Sequence, residues 1–163
     1  MSQIFNKSGG YRKLYSFNFA TIVHLGTMHF CKRFIDWKTD PLGKQVGQMV
    51  GASRSGKQNI VEGSERARTS SETEIKLTDV AKAILAELLG DLEDFLGAMG
   101  EVPWSIHSED YKAISAIKLE LFEYTEDVLH DHWSYLLRQK KKFDRWLEHD
   151  NPIVVVNTLI LLV

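Results

Sequence analysis

From Ser71 to Leu96 the chain carries apolar residues at helical spacing: Ile75, Leu77, Val80, Ala81, Ile84, Leu85, Leu88, Leu89, Leu92, Phe95 and Leu96. They cover well over half of a helix circumference, so the helix must be buried on two sides, inside a bundle or between subunits. Ser71-Glu72-Thr73-Glu74 reads as a capping box, with the Ser71 hydroxyl serving the Glu74 N–H and the Glu74 carboxylate reaching back. Gly100 stops the helix and Pro103 keeps it from resuming. A helix of this kind needs helical neighbours, and the rest of the sequence supplies them.

Between Tyr11 and Asp36, Leu14, Phe17, Val23, Leu25, Met28, Cys31, Phe34 and Ile35 form a broad helical stripe. A second helix is predicted from Pro41 to Glu62, with Asp40 as N-cap and Gly63 as its stop. Its small residues, Gly43, Gly47, Gly51, Ala52, Ser53, Ser55 and Gly56, lower helicity but let another backbone approach closely. A polar turn, Ser64 to Ser70, leads into the third helix. After Pro103, Ser108-Glu109-Asp110 caps a predicted helix carrying Tyr111, Ile114, Ile117, Leu121 and Tyr124. A further helical piece carries Val128, Trp133, Leu136, Leu137, Phe143 and Trp146. Asp150-Asn151-Pro152 reads as a helix start, although the β-branched run to Val163 would also suit a strand. The chain stops within that apolar run, which raises the expectation that the natural element continues.

The segment Gly51-Ala52-Ser53-Arg54-Ser55-Gly56-Lys57-Gln58 has the G-x-x-x-x-G-K spacing of a phosphate loop. That loop needs a hydroxyl after the lysine to ligate magnesium, and Gln58 has none. It also needs a preceding buried strand, whereas Leu42, Val46, Met49 and Val50 have helical spacing. Nucleotide binding is therefore not expected here.

The length suits one domain, residues 1–163, with a core bundle at about 11–100 and a helical extension at about 104–163. A single cysteine, Cys31, excludes an internal disulfide framework. No leader is evident and the longest apolar run is too short to span a bilayer, so no membrane association and a reducing cytoplasm are expected. The formal net charge of −2 conceals a split. Residues 1–68 hold 11 Lys/Arg against 4 Asp/Glu, or +7; residues 69–163 hold 9 against 18, or −9. Such a division permits an anionic partner or head-to-tail contact between subunits.

Gln45, Ala52, Ser55, Asn59-Ile60-Val61-Glu62-Gly63, a short Arg/Ser-rich turn, and Glu74 through Ala86-Glu87-Leu88 together resemble a bacterial four-helix-bundle family. Its members include proteins encoded by intervening sequences of large-subunit ribosomal RNA genes and the accessory variability protein of diversity-generating retroelements. Arg54 to Asn59 and Glu72 to Leu77 look like the subgroup with an extended C-terminal region. The specific part covers residues 42–96, about a third of the chain. The resemblance implies an all-α, up-and-down antiparallel four-helix bundle with additional C-terminal helical segments, assembled as a homopentamer. For the retroelement branch it also implies a reverse-transcriptase partner and nucleic acid. Two departures stand out: those proteins are strongly basic, and the family's fourth helix follows the third closely, whereas about 50 residues intervene here.

Candidate nucleic-acid contacts are Lys44, Arg54, Lys57, Arg66 and Arg68, long cations that could meet phosphates of RNA. Solvation and pairing with Glu62, Glu65 and Glu72 compete with that role. The motif residues Asn59, Glu62, Gly63 and Glu74 are expected to be structural. Glu123, Asp127, His130, Asp131 and His132 offer metal-binding atoms, but His130 and His132 project from different helix faces, so a solvated acidic face is favoured. His24 and His29 are expected to be hydrogen-bonded interior or interface residues. Carboxylate pairs (Glu93-Asp94, Glu126-Asp127) lack a pocket signal and no nucleophile motif occurs. The expected protein is a non-enzymatic, homo-oligomeric module without metal or cofactor that binds a protein or nucleic acid; the alternative is an RNA-binding accessory protein acting through the basic turn.

Overall fold

The computed structural model describes residues 10–67 and 70–163. Among the described residues, a 3₁₀ turn, Gly10–Lys13, is followed by seven α-helices: α1 Tyr15–Phe34, α2 Lys44–Arg66, α3 Ser71–Ala98, α4 Glu109–Ser115, α5 Val128–Lys141, α6 Asp144–Leu147 and α7 Pro152–Leu162. No strand occurs among the described residues. Nor is any described helix long and apolar enough to cross a membrane.

The architecture is an all-α bundle of α1, α2, α3 and α7. Short connections reverse the chain between the first three. The end of α7, Leu161 to Val163, lies beside the first half of α1, the last turns of α2 and the first half of α3. Near the other end, Asn157 of α7 meets Trp104, which follows α3. Hence α7 runs antiparallel to α3 and completes an up-and-down bundle. The fourth position is filled, but only after the excursion of residues 99–151. The expected boundary near residue 100 therefore does not separate core from extension. Val155, Val156 and Leu159 of α7 are buried with Ile22, Val23 and Phe30 of α1 and Leu88, Leu92 and Leu96 of α3.

Several helix ends move from their predicted positions for identifiable reasons. The cap of α3 is Ser70, whose Oγ accepts from the Thr73 N–H at 3.2 Å, one residue before the predicted Ser71. Asp40 does cap α2, but from outside. Gly43 turns the chain at φ +64°, and the Asp40 carboxylate accepts from the N–H groups of Gln45 and Val46. That left-handed residue delays α2 to Lys44. Gly63 is no stop: α2 continues through it to Arg66, and a Cβ there would touch Leu77 at 3.5 Å. The run from Pro152 resolves as helix, with Asn151 Oδ1 accepting from the Ile153 N–H at 3.0 Å. Only residues 109–115 of the predicted 108–124 helix are helical.

Among the glycines of the small-residue set predicted for α2, close approach of a neighbouring helix occurs at Gly56. A Cβ on Gly56 would lie 2.6 Å from Leu85, whereas nothing stands within 4 Å of the corresponding point on Gly47 or Gly51. α2 accordingly buries Met49 as its sole large apolar residue, beside Ser53, Gly56 and Gly63. The wide apolar surface of α3 is also only partly covered. Ile75 and Val80 remain 60% and 44% exposed, so its second side is not buried within one chain.

Asn157 shows how the excursion is fastened. It is buried in α7; its Nδ2 donates to the Ile153 carbonyl and its Oδ1 accepts from the Trp104 N–H at 2.8 Å. Asn157→Leu leaves that N–H without its acceptor and should destabilise the fold by about 1–3 kcal/mol. A urea midpoint unchanged from the parent would refute this role.

Candidate cation cluster

The basic residues gather around α2, but not as one patch. Lys57 is half-buried, and burial first, then the fields of Arg54 and Arg12, pull its ammonium below the usual lysine range. Arg54 is exposed one turn away on the same side of α2. Arg12 comes from the 3₁₀ turn. His24 of α1 lies close by: burial, then Lys57 and Arg54, hold its imidazole below the ordinary histidine value. Its Nδ1 is 2.7 Å from Ser53 Oγ, which also bonds the Val50 carbonyl. With the hydroxyl proton given to Val50, His24 Nδ1–H is the donor. The expected interior hydrogen bond of His24 is thus present, while His29 pairs at the surface with Glu148 at 2.8 Å.

Among the described residues, no carboxylate lies within 4 Å of Arg12, Arg54 or Lys57. Glu72, one of the expected neutralising groups, instead pairs with Lys76 in its own helix. Two guanidinium groups whose fields reach the Lys57 ammonium, with no carboxylate among the described residues to offset them, favour an anionic ligand.

The other proposed contacts lie apart. Lys44 is exposed at the start of α2, roughly 20 Å along the axis from Lys57 at 1.5 Å per residue. Arg66 lies nine residues beyond Lys57, on the opposite side of the helix. Arg68 falls outside the described residues. Asn59 bonds back to the Ser55 carbonyl at 2.8 Å, Gly63 packs on α3, Glu74 is half-buried where α3 passes α2, and Glu62 is exposed.

Arg12 is the member that sequence reasoning missed, and long-range contacts place it. Its guanidinium donates to His132 Nδ1 at 2.8 Å. Arginine has no lone pair to offer, so Nδ1 is the acceptor and the ring proton sits on Nε2. Nε2–H then donates to Asn18 Oδ1 at 2.9 Å, and Asn18 Nδ2 donates to the Arg12 carbonyl at 3.0 Å. The ring closes on itself. His132 is fully buried, which corrects its expected place on a solvated acidic face. His130 remains on that face, beside Asp131. No group of three His, Cys, Asp or Glu that could hold a metal occurs among the described residues. Cys31 is buried, and burial, with Asp40 nearby, pushes its thiol up to about 11, so it is unreactive at neutral pH.

Two concave surfaces lie among the bundle helices. An apolar cavity of about 560 Å³ lies where α7 ends between α1, α2 and α3, with Phe19, Ile60, Leu85 and Leu161 in its walls. A groove of about 650 Å³ runs between α2 and α3, with Gly47, Gly51 and Ser55 facing Glu87, Asp91 and Asp94. Burial, then Asp94 and Glu87, raise the Asp91 carboxyl.

Comparison with known proteins finds no matching family model, no matching curated protein and no matching solved structure.

Proposed function

We propose that this chain is a non-enzymatic helical-bundle module that binds a phosphate-bearing polymer, with RNA as the first candidate, through Arg12, Arg54 and Lys57. The observation that carries the reading is the crowding of these three cations without a carboxylate partner. Each long side chain can neutralise a phosphate and release its counterion, so affinity must fall steeply with salt. The test is binding of a structured RNA across a salt series. Arg54→Ala with Lys57→Ala removes two contacts; it should weaken binding roughly 10- to 100-fold at 0.1 M salt and lower the log–log salt slope by about 2. Lys44→Ala with Arg66→Ala should change binding less. Undetectable binding by the parent protein at low salt ends the proposal.

A second reading, assembly of several copies, has its own support. The groove between α2 and α3 is open at Gly47, Gly51 and Gly90 and carries Glu87, Asp91 and Asp94, which make no ion pair among the described residues. Each interior glycine costs a helix about 1 kcal/mol relative to alanine, and at these sites no contact within the chain requires it. Close approach of another copy would supply the reason. The homopentamer and the membership implied by the intervening-sequence resemblance belong to this reading. Light scattering decides it: a stable monomer at micromolar concentration removes it.

A further inference from the structure

The excursion between α3 and α7 is not uniformly part of the main core. Within it Leu119 and Phe143 belong to that core, but between them Phe122, Tyr135 and Leu136 form a separate small cluster with Tyr124 beside them. This cluster is internally fastened. The Tyr135 hydroxyl donates to the Glu120 carbonyl, and Gln139 Oε1 accepts from the Glu120 N–H at 3.0 Å. It meets the start of α1 through His132, with the Tyr135 side chain also reaching Asn18 and the Lys13 ammonium lying over the Tyr124 ring, 5.4 Å from its centroid. The imidazole is clasped by Arg12 and Asn18 and stacks near Phe17 of α1, with ring centroids 6.0 Å apart. The outer link, Lys13 to Glu123 at 3.3 Å, is exposed and therefore weak.

We infer that His132 is a proton-sensitive latch that holds residues 120–141 against the start of α1 and lets them open in acid. The chemistry follows from the ring of hydrogen bonds. Nδ1 must stay unprotonated, because a second N–H would point at the Arg12 guanidinium, which can only donate. A protonated His132 also sets two cations face to face in a buried site. Closing and protonation therefore exclude each other.

Other titratable or charged groups face the latch. Arg12 and Tyr11 come from the 3₁₀ turn, Tyr124 from the extended segment and Tyr135 from α5. Lys57 and Glu65 of α2 act on Arg12 and Tyr124 respectively. Glu120, Arg138 and Tyr15 act on Tyr135, and Glu65, the carboxylate that acts from the bundle side, is the natural control.

Burial and Arg12 bring His132 down to about 4 from an ordinary 6.5. Above pH 6.5 both open and closed forms are neutral and the latch has full strength. As the pH falls below 6.5 the open form takes a proton and the closed form does not, so closing weakens until about pH 4. A displacement of that size corresponds to about a 300-fold change in the closing equilibrium.

Hydrogen exchange, corrected for intrinsic pH dependence, tests this on the whole chain. Amides in α5 should lose up to about 300-fold in protection from pH 7 to pH 4, while those of α3 lose far less. His132→Gln offers one acceptor and one donor but no titratable proton, and should abolish the step; Glu65→Gln should keep it. The step persisting in His132→Gln, or α3 and α5 losing protection together, overturns the latch. Should that variant not fold, imidazole NMR of the unmodified protein decides: a His132 titration near 6.5 overturns the proposal, and one well below it upholds it.

Discussion

Gly56→Val should destabilise the fold by about 2–4 kcal/mol, and Leu85→Ala should recover much of that loss in the double variant. The reason lies in the contact between α2 and α3. A Cβ at Gly56 would stand 2.6 Å from Leu85 Cδ2 and 2.7 Å from its Cγ. Cγ cannot swing away as a methyl can, so Leu85 must change rotamer or the helices must separate. Valine regains only a few tenths of a kcal/mol of helix propensity over glycine, far less than an overpacked core costs. Alanine is the informative intermediate: its gain of about 1 kcal/mol nearly offsets a smaller clash. Denaturant midpoints of the four members of the cycle measure the coupling. A Gly56→Val midpoint matching the parent would show that α2 and α3 are not in contact there. The same change at Gly51, where nothing lies within 4 Å, should not destabilise an isolated chain.

Phe30→Ala should cost about 3–5 kcal/mol, enough to unfold a protein of ordinary stability at moderate temperature. Phe30 is fully buried in α1, with Phe95 of α3 edge-on at 5.1 Å and Phe34 tilted at 5.4 Å. Truncation loses the transfer energy of the ring, leaves a cavity in the main core and removes two aromatic contacts. Thermal unfolding by circular dichroism should show a fall in Tm of about 6–20 °C, at about 2–4 °C per kcal/mol for a chain near this size. Ile75→Ala is the matching control, since that side chain is 60% exposed. An equal loss at both sites would mean that the surface of α3 is covered in solution, which would favour assembly of several copies.

The helices were legible where the apolar period was long. α1 and α3 have broad stripes, and their predicted spans differ from the folded ones by a few residues. Ends were less legible, because a cap is chosen by geometry as well as by residue type. Ser70 and Ser71 are the same residue type at adjacent positions, and only the backbone decides which hydroxyl meets the Thr73 N–H. The spacing of Ile117, Leu121 and Tyr124 predicts helix through residues 117–124. In the fold Leu119 and Phe122 are buried and Leu121 is exposed. Side chains from α5 satisfy the Glu120 backbone there, so tertiary contacts replace the helical hydrogen bonds.

Of the candidate site, Arg54 and Lys57 could be found because their spacing of three places them on one side of a helix. Arg12 could not. It precedes α1, carries no periodic signal, and is held by a histidine 120 positions away. Lys44 and Arg66 show the converse: they are near in sequence, yet the length and rotation of α2 separate them from Lys57.

The amino-acid pattern alone determined that the segments forming α1, α2 and α3 are helical and must pack as a bundle. Those properties depend on local period and composition, which a linear sequence displays directly. The tertiary structure alone decided that α7 takes the fourth place after a long excursion. It also placed Gly56, rather than Gly47 or Gly51, at the close contact, and joined Arg12 to His132 beside Lys57. Each of these depends on which distant surfaces meet, and that choice is made by packing and hydrogen-bond geometry across the bundle rather than by any one segment.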